Sequence, residues 1–362
     1  MRNRVLLTLV VLLTLAPSAP AQAPDPRGVD PNSANPLVGE TWWVNKGLHP
    51  AWRQYHRYRR QGKRRKAALM WKVAREPKFH WFGRWSRMEW LRDHIAQAEA
   101  DGAVPLIGVM RHIGNRCGGD YDGGGPAEDE RTREWYRAFA ATVGSHRVVL
   151  AYEPDSLGTI DCLGPQWRQN RLDLLRYGVD VLSQLPNATI YLEAGASDWE
   201  AAHRTAGQLR YIGVAKVRGF MLNVTHYDWT AANIRHGLKI SRQTGGKPFI
   251  INTATNGRGP VHWRNARGRR QNVWCHPLRR GLGPPPTTAT DHPKVDAYMW
   301  INRPGYSGGS CNGGPLPVGA WWPERALTLA RYATDWIRPP RGTRFGLFRR
   351  YSVRELAGDG YR

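Results

Sequence analysis

The sequence is short of acid. Its 362 residues include 29 Asp or Glu against 53 Lys or Arg, a formal net charge of +24. That balance favours anionic partners. The basic residues gather at Arg53 to Lys72, Arg264 to Arg280 and Arg338 to Arg350, yet no zinc-finger, RRM-like or heptad pattern accompanies them. The expected partner of this basic surface is therefore an anionic cell-wall polymer or acidic glycan, and no specific nucleic acid. Cysteine is equally sparse: Cys117, Cys162, Cys275 and Cys311. No CxxC pair or Cys-His spacing fits zinc, and no GxGxxG follows the first strand-like run to fit a dinucleotide. No metal or organic cofactor is expected. Long apolar runs are absent after residue 16. The one at the start, Val5 to Ala16 behind the basic Met1-Arg2-Asn3-Arg4 and before Ala19-Pro20-Ala21, is shorter than the roughly 20 residues that span a bilayer and reads as a signal peptide, residues 1–21. The chain is expected to be secreted, with no membrane attachment after cleavage. In an exported protein four cysteines suggest two disulfides. Three connectivities are open, and the sequential one, Cys117–Cys162 with Cys275–Cys311, closes the shortest loops.

What is present speaks for a folded domain: 41% of residues are hydrophobic and 17 are Trp. After a Pro- and Asp-rich leader, residues 22–34, the chain alternates. Strand-like runs fall at Pro105–Met110, Val148–Tyr152, Thr189–Leu192, Gly219–Asn223, Phe249–Asn252 and Ala297–Ile301. Helical patterns lie at Arg87–Ala100, Glu130–Val143, Gln166–Leu185, Ala231–Thr244 and Pro323–Ile337. Arg53–Lys72 reads as a further helix that buries Ala67, Leu69 and Met70. Short buried strands alternating with helices predict an α/β domain over residues 35–338, built of parallel β/α units that close toward a barrel, followed by a basic tail, residues 339–362. An open doubly wound sheet is the alternative.

In such folds chemistry sits on the loops after the strands. Asp155, in Tyr152-Glu153-Pro154-Asp155-Ser156, follows a strand and a proline that fixes the backbone. A carboxyl held there in a partly dry cleft favours its neutral form and suits a general acid; an Asp in that place also suits a cap for the next turn. Trp81, Trp199 and Trp274 stand near strand ends, where flat indole faces can stack on pyranose rings, although most of the 17 Trp belong in the core.

Several segments, in order, resemble glycoside hydrolase family 6, the inverting cellulases comprising cellobiohydrolases and endoglucanases. They are Tyr152-Glu153-Pro154-Asp155-Ser156-Leu157-Gly158, Asn223-Val224-Thr225-His226-Tyr227 and Thr255-Asn256-Gly257-Arg258-Gly259-Pro260. Trp274-Cys275-His276-Pro277, Arg280-Gly281-Leu282-Gly283, Asp296-Ala297-Tyr298-Met299-Trp300, Gly313-Gly314-Pro315 and Trp321-Trp322-Pro323-Glu324 complete the run. The resemblance spans roughly residues 35 to 338 and keeps the family's two-disulfide pattern. It implies an incomplete, seven-stranded parallel β/α barrel, a β-1,4-glucan polysaccharide substrate, Asp155 as proton donor and Asn223 among the substrate-binding residues. The expected form is a monomer.

The sequence departs from the family where a second carboxylate belongs. The family's Asn-Arg-Asp-Cys reads Asn115-Arg116-Cys117, a family Tyr is Arg111, and Asp-Ala-Gly-His is Glu193-Ala194-Gly195-Ala196. The segment Lys-x-Pro-Gly-Glu-Ser-Asp-Gly, with the proposed base Asp, reads Asn302-Arg303-Pro304-Gly305-Tyr306-Ser307-Gly308-Gly309. An inverting hydrolase uses a second carboxylate to activate water. Asp120 and Asp122, in a Gly-Asp stretch that also reads as a surface turn, and Glu193, which also suits a sugar hydroxyl, are the candidate replacements. A glycan or cell-wall binding protein on the same scaffold is the alternative function.

Overall fold

The structure, a computed structural model, describes residues 34–47, 49–111, 126–264, 267–268, 270–339 and 352–358. The stretch expected to be a signal peptide, most of the expected leader, Cys117, Asp120 and Asp122 lie outside the described residues. Six parallel strands run in sequence order: β1 (His80–Gly83), β2 (Leu106–Met110), β3 (Val148–Tyr152), β4 (Ala188–Glu193), β5 (Gly219–Leu222) and β6 (Phe249–Asn252). An antiparallel hairpin, β7 (His262–Arg264) and β8 (Arg270–Asn272), then leaves the sheet before β9 (Val295–Met299) rejoins it beside β6. Among the described residues no ladder joins β1 to β9. One backbone bond, Phe79 N to Trp300 O at 3.2 Å, crosses that seam. The result is the incomplete seven-stranded barrel that was expected.

Strand pleating sorts the apolar side chains into two clusters. One face carries Phe82, Val109, Leu150, Tyr152, Leu192, Phe220 and Ile251, packed on helical residues such as Leu91, Phe139, Leu175, Leu209 and Ile240. The other carries Trp81, Val149, Ala151, Tyr191, Met221, Ile250, Ala297 and Met299 and includes no helical residue. Helices on one face only, with a filled interior, distinguish a curled barrel from a doubly wound sheet. Burying each large apolar side chain contributes roughly 1.5–3 kcal/mol. Trp81 needs a glycine opposite: a Cβ on Gly108 would lie 2.1 Å from its ring. At the opposite end from the strand-end loops, Asp296 accepts from Tyr191 Oη at 2.7 Å and from Arg218 at 2.8 and 2.9 Å, and Asn35 donates to the Asp296 carbonyl at 2.7 Å.

The basic stretch expected as one helix is two. α1 (Pro50–Arg60) and α2 (Arg64–Ala74) are separated by a turn at Gly62, whose φ of +66° a continuous helix cannot hold. Ala67 and Met70 are buried as expected, while Leu69 is half-buried. The remaining crossovers are α3 (Met88–Ala100), α4 (Pro126–Val143), α5 (Pro165–Leu182), α6 (Ala202–Ile212) and α7 (Thr230–Gln243). The final helical pattern is shorter than its periodicity predicts: α8 spans Pro323–Arg331. In the tail, α9 (Val353–Ala357) opens with a capping box between Ser352 and Glu355, and Leu356 packs with Val261 and Val273.

Candidate active site

The loop after β3 is built under strain. Glu153 and Asp155 both hold left-handed backbone, at φ 52° and 65°, which costs a non-glycine residue free energy and persists only where surrounding bonds enforce it. Those bonds are on hand. The buried Glu153 carboxylate accepts from Arg111 N at 2.7 Å and Tyr136 Oη at 2.6 Å. Ser156 Oγ donates to Glu153 O at 2.6 Å, and Thr159 Oγ1 to Asp155 O at 2.6 Å. From α5, the buried Arg171 guanidinium reaches Ser156 O and Thr159 Oγ1 at 3.2 and 2.9 Å.

The carboxyl carried by this loop is engaged from another strand-end loop. Asp155 is half-buried, and among the described residues its side chain has one hydrogen bond, from Thr225 Oγ1 at 2.6 Å. Thr225 lies just beyond β5, two strands away in the sheet. Burial raises the Asp155 pKa above the usual Asp value; the Thr225 bond and the nearby His226 imidazole oppose that rise. A raised carboxyl at a strand end can hold a proton for transfer.

Glu193 lies beneath it. Only 3% exposed, it accepts Leu157 N at 2.8 Å and Gly195 N at 2.5 Å. Both oxygens are thereby tied to the backbone, and through the Leu157 amide Glu193 braces the Asp155 loop. Its pKa is pushed up to about 8, first by burial and then by the negative charge of Asp155, against the pull of the backbone amides. The folded chain thus keeps a proton on Glu193 between the ordinary value of 4.5 and about 8, where the unfolded chain has lost it. That contribution to stability is complete below pH 4.5 and falls as pH rises toward 8. Thermal unfolding of Glu193→Gln is expected to show a flatter melting temperature over this range than the native protein. Equal slopes in the two would contradict the assignment.

The other sequence candidates separate. Asn223 is fully buried, and its amide is committed to Asp228 N, Asp228 O and Asn252 O at 3.2, 3.1 and 3.1 Å; it braces strand-end loops where sugar contact was expected. Trp81 is also corrected: its ring is 8% exposed inside the barrel, against Gly108. Trp199 is half-buried and stacked on His226, with ring centroids 4.5 Å apart, and its indole leaves no space for a Cβ on Gly158. Trp274 stands 61% exposed. Next to it Cys275 is bridged to Cys311 with Cα atoms 6.1 Å apart, and Cys162 is also in a disulfide. Ligand atoms of Cys275, His276 and Cys311 lie within 4.8 Å of one another, but both sulfurs are oxidised and offer no thiolate to a metal. Gly308 donates its N–H to His276 Nε2 at 2.8 Å.

One cluster was not foreseen. Asp198 bridges His226 Nδ1 at 2.8 Å and His262 Nε2 at 3.1 Å, and hydrogen bonds to the two imidazoles hold its carboxyl well below the usual range against a large desolvation penalty. Asp228, beside it, accepts from Ser197 Oγ at 2.6 Å. Burial and the Asp198 charge raise Asp228. The only sequence signal was the placement of Asp198 and His226 just after strands.

A left-handed acid loop at a β/α strand end, with a second carboxyl tied to its backbone and Trp199 against Gly158, sits on a barrel that known proteins share. Residues 37–333 match the sequence family described as Glycosyl hydrolases family 6. The chain is 34% identical over 271 residues to endoglucanase A of Cellulomonas fimi, covering 74% of this chain and 56% of that protein's length. It is 31% identical over 344 residues to endoglucanase 1 of Streptomyces halstedii, covering 90% of this chain and 98% of that one. Among solved structures, the endoglucanase Cel6 of Mycobacterium tuberculosis, in complex with methyl-cellobiosyl-4-deoxy-4-thio-β-D-cellobioside, aligns with a TM-score of 0.74 at 35% identity, covering 83% of this chain and 99% of that one. By sequence along most of its length and by its barrel, this chain belongs to glycosyl hydrolases family 6.

Proposed function

We propose that the protein is a secreted glycosidase that hydrolyses a β-1,4-glucan with inversion, using Asp155 as general acid. The observation that carries this reading is the Asp155 carboxyl, set on left-handed backbone, engaged by Thr225 from another strand-end loop and biased by burial toward its protonated form. The names of the endoglucanase relatives and the cellobioside in the Mycobacterium tuberculosis neighbour support the substrate class. In the proposed reaction Asp155 gives its proton to the glycosidic oxygen as the C–O bond breaks, while water attacks the anomeric carbon from the opposite face and loses a proton to a base. Asp120 and Asp122 keep their candidacy for that base on sequence position alone. The test is release of reducing ends from cellulose-derived oligomers and barley-type mixed-linkage glucan, with an α-linked glucan as control. Cleavage of the β-linked substrates alone is expected, and inertness toward all of them overturns the proposal.

Export rests on the N-terminal residues. No helix among the described residues is long and apolar enough to cross a membrane. We place the sugar platform on Trp274, whose exposed face can stack on a pyranose ring. Trp274→Ala is expected to raise KM for the polymer by about 2- to 10-fold with kcat little changed, because stacking is made equally in ground and transition states. A fall in kcat at constant KM would place Trp274 elsewhere in the mechanism.

A second reading, a glycan-binding protein without turnover, is favoured by one observation: Gly308 occupies the position that the resemblance assigns to the base. Binding of cello-oligomers with no reducing ends released would establish it. On either reading the exposed cations of α1 and α2, Arg53, Arg57, Arg59, Arg60, Arg64 and Arg65 among them, are the surface for an anionic wall polymer.

A further inference from the structure

Away from the Asp155 loop, where the barrel fails to close between β1 and β9, lies a small cavity of about 20 Å³, room for one compact ion or a water. Its walls include His49, Lys78, His80, His94 and Arg303. The acidic side chain that reaches it, Glu76, is already paired with Arg75 at 2.8 Å. Arg303 lies over the Tyr306 ring, 3.9 Å from its centroid, and among the described residues pairs with no carboxylate. Guanidinium does not deprotonate in a protein, so this charge persists. The Lys78 ammonium is held by the carbonyls of Val73 and Glu76 and faces the Trp300 ring at 5.8 Å.

Two imidazole nitrogens sharpen the point. His49 Nδ1 accepts Ala51 N at 3.2 Å as the cap of α1, which fixes the proton on Nε2. That N–H is shut from solvent with no acceptor among the described residues. His94 is 4% exposed, and its Nδ1 is likewise buried and unbonded. The surrounding charges of Lys78, Arg303 and His80 add to burial in driving His49 toward its neutral form. A buried donor without an acceptor and a guanidinium without a counterion each cost free energy. One bound anion would relieve both.

We infer that this seam cavity binds a compact monovalent anion of halide size, held between His49 Nε2, Lys78 and Arg303. The anion would tie the segment before α1 and the loop before β1 to the loop after β9, closing electrostatically a barrel that no strand ladder closes among the described residues.

Because a ligand of the folded state stabilises it by mass action, the protein freed of halide should show a saturable rise in melting temperature with sodium chloride or bromide, and none with sodium methanesulfonate at equal ionic strength, since that anion is too bulky. His49→Asp keeps an acceptor for the helix cap and carries no N–H donor; Arg303→Gln removes the charge. Both should abolish the saturable rise. Bromide-soaked crystals should give an anomalous peak between His49 and Arg303. Equal effects of chloride and methanesulfonate, a chloride response surviving both substitutions, or no bromide at that position would each overturn the inference.

Discussion

Asp155→Asn is expected to cut turnover on an unactivated β-1,4-glucan by about 10²–10⁴-fold, the range a positioned general acid contributes. The amide keeps the size of the side chain and can still accept from Thr225 Oγ1, so the loop that Glu153, Arg171 and Glu193 hold in place should stay folded. What disappears is the proton. The loss must therefore depend on the leaving group. A substrate whose departing group needs no protonation, such as a cellobiosyl fluoride, should lose far less in the variant than a cello-oligomer does. Native activity should also fall as pH rises through the raised Asp155 pKa, because the acid form is the active one. An equal loss on both substrates, or none on either, would remove Asp155 from the role of acid.

Gly308→Asp is expected to raise turnover by about tenfold or more, within what a positioned base can supply. The position tolerates a side chain: a Cβ there would meet only His276, at 3.5 and 3.7 Å, which is ordinary contact. Its backbone is not in the left-handed region, unlike that of Gly309 at φ 138°. The loop is fixed by the Cys275–Cys311 bridge and by Ser307 N to Ala320 O at 2.9 Å, so a carboxylate placed there would be held rather than floating. Unchanged turnover with an unchanged melting temperature would mean that the base function resides on another side chain.

Asp155 and Gly308 stand out in the sequence, the first by a local signal and the second by the family resemblance. Asp155 announces itself by a strand, a proline and a carboxyl within a few residues, and six of the seven barrel strands by continuous apolar runs. β1 escaped because His80-Trp81-Phe82-Gly83 is four residues long, with no β-branched member and three rings that also suit a loop. The inward turn of Trp81 depends on pleat parity and on Gly108 of the next strand, which no single segment encodes. The Asp198 cluster joins residues 28 and 64 positions apart that meet only once separate strand-end loops converge. Glu193 was located, but the amides of Leu157 and Gly195 that engage both its oxygens come from folded loop geometry that no single segment encodes. The seam cavity is non-local in the same way, drawing His49, Lys78, His94 and Arg303 from four stretches of chain.

Inversion at the Asp155 site fixes the anomer that is released first. Proton NMR during early hydrolysis of a cello-oligomer should show the α anomer at the new reducing end first, with the β anomer growing in later by mutarotation. A β anomer as the first product, or the same anomer ratio from the earliest spectrum onward, would contradict inversion at a site with Asp155 as its acid.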